Sequence, residues 1–117
     1  MSIRKRSDGE YSAHLQGTLD LLILKILDRS GAQHGYAIAQ RIHQATSDSL
    51  RIEEGSLYPA LQRMTQEKWL KAQWGKTDSG RKARFYTTTA AGRRQLDEEE
   101  RRWLTLTDAV NKALRFA

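Results

Sequence analysis

The sequence predicts a mainly α-helical chain carrying one small β-hairpin, an α+β fold, and three observations predict it. Four stretches space their apolar residues as helices do, and two adjacent short runs alternate apolar and polar residues around a turn-rich tip. The last helical stretch carries an apolar stripe at seven-residue spacing. At 117 residues the chain makes one domain with a modest core, short of an enzyme with a deep cleft.

Residues 1–14 show no hydrophobic periodicity and are expected to form a flexible basic arm. From Gln16, LQGTLDLLILKILDRSG predicts a helix capped at Gly31. Leu19, Leu21, Leu22, Ile23, Leu24, Ile26 and Leu27 surround most of its axis, so it should be buried on two fronts. His34 to Ser47 predicts a second helix with Ile38, Ile42 and Ala45 on one face. Leu50 and Ile52 flank Arg51 and suit a very short strand or an extended link. A third helix runs from about Glu54 to Lys68.

LKAQWG and ARFYTT then alternate around GKTDSGRK, which predicts a hairpin with a long basic tip. Thr89 stands where a helix N-cap belongs. The final helix places Leu96, Trp103, Val110 and Ala117 seven residues apart, with Leu106 and Ala113 on the adjoining row and Glu99 interrupting one core position. Little of so small a domain is left to cover that stripe, so Leu96, Trp103, Leu106, Val110 and Leu114 are expected at a homodimer interface. The order helix, helix, short strand, helix, hairpin, helix is that of a winged helix-turn-helix domain (residues 15–88) followed by a dimerisation helix (residues 89–117).

The composition narrows the function. Cysteine is absent, so disulfides and thiolate metal sites are excluded. His14, His34 and His43 have no metal-ligand spacing, and no nucleophile–base pair or Gly-rich phosphate loop occurs, so no metal, cofactor or enzymatic activity is expected. The polar, basic start lacks a signal-type apolar run, and Leu19 to Leu27 is too short and too charged for a membrane span, which predicts a soluble cytoplasmic protein. Lys76, Arg81, Lys82, Arg84, Arg93 and Arg94 face one acid, Asp78, between residues 76 and 94, whereas the remaining 98 residues hold 14 basic and 13 acidic ones. A local basic patch on a balanced chain is the footprint of a nucleic-acid binder. The acidic run Asp97 to Glu100 lies among arginines and is expected to form ion pairs.

The third helix divides into two faces at 100° per residue. Leu57, Leu61 and Met64 form the core face, with Ala60 beside it and Lys68 on the same arc. Gly55, Pro59, Gln62 and Gln66 form the outer face, flanked by Tyr58 and Arg63. Amide, guanidinium and apolar groups read base edges in a major groove, which makes Pro59, Gln62 and Arg63 candidates for base contact. Ser56, Tyr58 and Tyr36 are candidates for phosphate, because helix N-termini and hydroxyls favour that partner. Lys76, Arg81, Lys82 and Arg84 are the wing candidates. Pro59, the one proline, is expected near the first turn, where N–H groups are unpaired.

The strings QGTLDLLIL, HGYAIAQRI, GSLYPALQRM and RKARFYTTTAAGRRQL resemble the PadR-like transcriptional regulators in order and spacing, over Leu15 to Phe116. The resemblance implies a homodimeric repressor of a palindromic double-stranded operator, built on the last helix with help from the first. It also implies a small aromatic or drug-like effector at the dimer interface, with Trp103 as the central indole and Gly17, Asp20, Leu21 and Thr107 lining the cavity. Three positions depart from the family pattern: Lys68 replaces a glycine, Thr65 stands near a missing glutamate, and Thr88 replaces a larger apolar residue. Two other readings compete: a winged-helix module whose basic hairpin binds an acidic protein, and a small-molecule-binding dimer with vestigial DNA binding.

Overall fold

The computed structural model describes residues 8–116, with side chains from residue 17 onward. Its elements are α1 (Asp8–Ser30), β1 (Gln33–His34), α2 (Gly35–Ala45), α3 (Glu54–Gln66), β2 (Leu70–Lys76), β3 (Lys82–Thr88) and α4 (Ala90–Phe116). The expected arm falls partly outside the described residues, and residues 8–14 belong to α1, which starts earlier than periodicity indicated. Gly31 ends α1 at φ 75°, and its N–H donates to the Leu27 carbonyl at 3.0 Å, as a left-handed cap does.

The strands form one antiparallel sheet in the order β1-β3-β2. Its short strand is Gln33–His34, pairing with Tyr86 and Phe85, and not the Leu50–Ile52 segment. That segment is an extended link whose Ile52 is anchored in the core. The free edge of β3 is met by the turn between α1 and α2, so two residues there complete the sheet. The hairpin pairs Leu70 with Thr88, Ala72 with Tyr86, Trp74 with Arg84 and Lys76 with Lys82. Its tip closes with Thr77 and Arg81 joined by a 2.8 Å bond from the Thr77 N–H.

Ile23, Leu24 and Leu27 of α1, Ile38 and Ile42 of α2, and Leu57, Leu61 and Met64 of α3 form the centre of the core. Leu70, Tyr86 and Leu96 close it from the sheet and from α4. Leu21, Leu22 and Ile26 are half-buried around its margin and pack against this same core. Ala45 is exposed, so the buried face of α2 ends at Ile42. Burying each large aliphatic side chain here contributes about 1.5–3 kcal/mol, the main favourable term for so small a domain.

The end of α3 is tight. The Lys68 N–H donates to the Thr65 carbonyl, and the Trp69 N–H to that of Met64, both at 3.0 Å, a Schellman closure with Lys68 at φ 68°. Lys68 is therefore an exposed cap residue past the helix, not part of its core arc. Thr89 caps α4: its Oγ1 accepts from the Gly92 N–H at 3.0 Å and lies 2.7 Å from the Lys68 carbonyl, to which it donates. A Cβ on Gly92 would come within 2.2 Å of the Trp69 carbonyl oxygen, so only glycine allows α4 to approach this corner.

Leu96 is 4% exposed and belongs to the core of its own chain, which corrects its assignment to the dimer stripe. It sits on the second turn of α4, while the helix still overlies the domain. Further along, Trp103, Leu106, Val110 and Leu114 are 43%, 56%, 45% and 69% exposed. Ala117, the last position of the stripe, lies outside the described residues.

Candidate nucleic-acid interface

Three elements supply the site: the outer face of α3, the start of α2 and the hairpin. On α3, Gly55, Ser56, Tyr58, Pro59, Gln62 and Gln66 are all exposed, opposite the buried Leu57, Leu61 and Met64. Tyr58 is held by contact, and among the described residues its hydroxyl has no hydrogen-bond partner. Its ring lies against Gly35, where a Cβ would approach Cε1 to 2.6 Å. Burial raises its phenol above the ordinary value of 10.0, and the Glu54 carboxylate adds to the rise. The hydroxyl is thus a proton donor throughout the neutral range, the form a phosphate oxygen accepts from. Tyr36 is exposed on α2, and Gln40 Nε2 donates to its hydroxyl at 3.3 Å.

Two backbone details refine the start of α3. The Ser56 and Leu57 N–H groups both donate to the Glu53 carbonyl at 3.0 Å, so the Ser56 amide is already paired. Any anion contact by Ser56 falls to its hydroxyl. Pro59 is the sixth residue of α3, beyond the unpaired N–H groups, so its fit is not the first-turn one that the sequence suggested. It leaves the Gly55 carbonyl without its helical donor, and Gly55 is exposed, where water can satisfy that oxygen.

Arg63 faces inward. Its Nη1 and Nη2 donate to the two carboxylate oxygens of Asp20 at 3.0 and 2.7 Å, a fork that ties α3 to α1. The expectation that Arg63 reads bases is therefore corrected: it lies beside the buried Ala60, long enough to cross to a carboxylate 43 residues away. Asp20 is 5% exposed. Burial pushes its carboxyl above the ordinary 3.8, against the hydrogen bond and charge of Arg63, and Glu99 adds to the rise. The hydrogen bond to Asp20 in turn raises the Arg63 guanidinium, which stays charged. Such a pair adds little net stability over apolar packing, yet removing one partner leaves a buried charge uncompensated.

The hairpin turns its basic residues to a defined side. Leu70, Ala72, Trp74 and Lys76 of β2 share a sheet face with Thr88, Tyr86, Arg84 and Lys82 of β3, because directly paired residues point the same way. The near part of this face, Leu70 and Tyr86, lies in the core with Leu57 and Leu61 of α3. Its far part, Trp74, Lys76, Lys82 and Arg84, is exposed. The basic tip therefore faces the side on which α3 packs. Arg81 is exposed at the turn. Trp74 escaped the sequence reading as a site residue; pairing the two arms around the turn places it opposite Arg84 and could have found it.

The residues expected to line an effector cavity divide between two packed helices. Gly17 and Leu21 lie on α1, the first exposed and the second half-buried, while Trp103 and Thr107 lie on α4. Lys25 and Glu100 tie α1 to α4 at 3.2 Å. Asp20 is engaged by Arg63 and offers no free carboxylate to a ligand, and Thr107 Oγ1 donates to the Trp103 carbonyl at 3.0 Å. Three of the four acidic residues of the run are paired: Arg102 reaches Glu98 at 3.5 Å and Glu99 at 3.3 Å, and Glu100 meets Lys25. No helix among the described residues is long and apolar enough to cross a membrane.

A helical core, a recognition helix with an uncharged polar outer face and a basic hairpin beside it define a winged helix-turn-helix protein of the nucleic-acid-binding class. The chain belongs to the transcriptional regulator PadR-like family, whose sequence pattern matches residues 23–98. It is similar to the solved structure of a PadR family transcriptional regulator from Eggerthella lenta, with 31% identity, TM-score 0.72, and coverage of 91% of this chain and 90% of that one. A PadR-like transcriptional regulator from Bacillus cereus is also similar, at 29% identity and TM-score 0.73, over 87% of this chain and 96% of that one. An uncharacterised protein of Lysinibacillus sphaericus is 29% identical over 97 residues, 83% of this chain and 88% of its own length. Members of the family are DNA-binding transcriptional regulators, not enzymes.

Proposed function

We propose that this chain is a homodimeric repressor that binds a palindromic double-stranded operator and is released by a small aromatic effector. Residues 15–88 form the DNA-binding unit and residues 89–117 the dimerisation helix. In each half-site α3 enters the major groove, with Gln62, Gln66 and Pro59 toward base edges and Tyr58, Ser56 and Tyr36 toward phosphates. Lys76, Arg81, Lys82 and Arg84 neutralise the flanking backbone. The observation that carries this reading is the shared orientation of α3 and the basic part of the hairpin, on one side of the sheet.

Dimerisation rests on the exposed row Trp103, Leu106, Val110 and Leu114, an apolar face that its own chain leaves uncovered. Two such helices side by side bring two Trp103 indoles together, and flat aromatic walls suit a planar ligand. Gly17 and Leu21 border that cavity from α1. Selection of bound fragments from a random duplex pool tests the operator: a two-fold-symmetric consensus with half-sites about one helical turn or more apart is expected. Enrichment of no sequence over input would overturn operator binding. Planar aromatics should quench tryptophan emission in the wild type and not in Trp103→Ala; unchanged emission across a compound panel removes the effector.

A further inference from the structure

The far end of the hairpin holds an arrangement that neither charge count nor alternation announces. Trp74 is 66% exposed, a large ring standing in solvent on a face otherwise made of cations. The Lys82 ammonium lies 5.4 Å from its ring centroid and the Arg84 guanidinium carbon 5.8 Å, both within cation–π range. Lys82 and Arg84 are alternate residues of β3, so both project to this face, and Arg84 pairs directly with Trp74 across the strands. Two long basic side chains thus share one indole.

Burial does not explain the ring, since Leu70 and Tyr86 already close the core nearer the base of the hairpin. Nor does an acidic partner hold the two cations: among the described residues neither forms an ion pair. Both charges are therefore free for an external anion, and the ring limits where they can be.

We propose that Trp74 is a positioning residue of the wing, an aromatic bracket that pre-sets Lys82 and Arg84 for two phosphates of a duplex backbone. The inference rests on the DNA-binding reading above and adds a residue to it. Free lysine and arginine side chains lose rotamer freedom when they settle on a phosphate, a penalty equivalent to about a two- to tenfold loss of affinity for each. A ring that already confines them removes part of that penalty before binding. Trp74 carries no charge, so the number of phosphates neutralised does not depend on it.

The test is binding of a random-sequence duplex of about 30 base pairs across a salt series, for the wild type, Trp74→Leu, Trp74→Phe and the double variant Lys82→Ala/Arg84→Ala. Random sequence removes any dependence on the unknown operator. Trp74→Leu, which keeps bulk without a π face, should bind about five- to twentyfold more weakly at every salt concentration with the slope of log affinity against log salt unchanged. Trp74→Phe should recover most of that loss. The charge-free double variant should lower the slope by about one for each cation removed. Thermal midpoints of all four proteins should agree, because the ring is outside the core.

Binding by Trp74→Leu within twofold of the wild type overturns the proposal, as does a Trp74→Phe variant as weak as Trp74→Leu. A reduced slope in Trp74→Leu also overturns it, since the ring would then decide whether the charges reach phosphate at all. Absence of duplex binding by the wild type itself is a different result and removes the DNA-binding reading.

Discussion

Helices α3 and α4 each leave one long face uncovered, and the two faces have opposite chemistry. The outer face of α3 offers Ser56, Gln62 and Gln66, with apolar surface at Pro59 and the half-exposed ring of Tyr58. The outer half of α4 offers Trp103, Leu104, Leu106, Val110 and Leu114, with charges between them. Water solvates the first face well and gains from losing the second. Dehydration is therefore costly at the first face and favourable at the second. The sheet and the joint at Thr89 attach both to one contiguous core.

Substitutions along α4 and α3 can break that contrast, and the largest effect is expected inside α4 itself. Leu96→Ala should destabilise the chain by about 3–4 kcal/mol at any protein concentration, since it opens a cavity in the monomer core. Val110→Glu, on the same helix, should leave the fold intact and shift sedimentation to the monomer. A similar loss of fold in both variants would erase the distinction between the two halves of α4.

Next in size is the tie between α1 and α3. Arg63→Ala should cost about 3 kcal/mol, because it leaves the Asp20 carboxylate buried without its partner. The pH dependence has a definite sign. Without the guanidinium, burial raises the Asp20 carboxyl further above its unfolded value of 3.8. The folded chain then takes up a proton before the unfolded one as pH falls, so the variant gains on the wild type between neutral pH and that value. Urea midpoints near pH 7 and near pH 4.5 measure the gap, which should narrow in acid.

The outer face of α3 should respond in binding and not in stability. Gln62→Ala is expected to lower discrimination at one base position by about 1–3 kcal/mol while unfolding midpoints stay put. Equal losses on selected and random duplex would remove Gln62 from base reading. The smallest effect is at the cap: Lys68→Gly should add about 0.5–1 kcal/mol, because a left-handed residue strains a side chain and suits glycine. Thermal unfolding reads it directly.

Local pattern made most of the fold legible. Apolar spacing located the helices, alternation located the hairpin, and Thr89 and Gly31 marked caps through chemistry confined to one turn. What escaped depended on partners distant in sequence. Arg63 looked outward by angle, yet its length lets it cross to Asp20 on another helix. Leu96 fitted a seven-residue stripe but lies where α4 still overlies the core. The short strand formed at Gln33–His34 because the edge of β3 passes there, a fact no local composition encodes. Trp74 drew no notice because a half-buried strand residue and an exposed one share the same alternation.

The corner where Thr89, Gly92, Lys68 and Trp69 meet has a mechanical consequence. The Thr89 hydroxyl bonds the Lys68 and Trp69 carbonyls beyond α3 while receiving the N–H of Gly92, the third residue of α4. Gly92 removes the side chain that would hold the two apart. Arg63 and Asp20 tie the other flank of α3 to α1, so the recognition helix is held at both sides. If two chains pair along α4 as proposed, this corner becomes the joint of a caliper: the crossing of the two α4 helices sets the distance between the two α3 helices, and a small rotation there is magnified at the jaws.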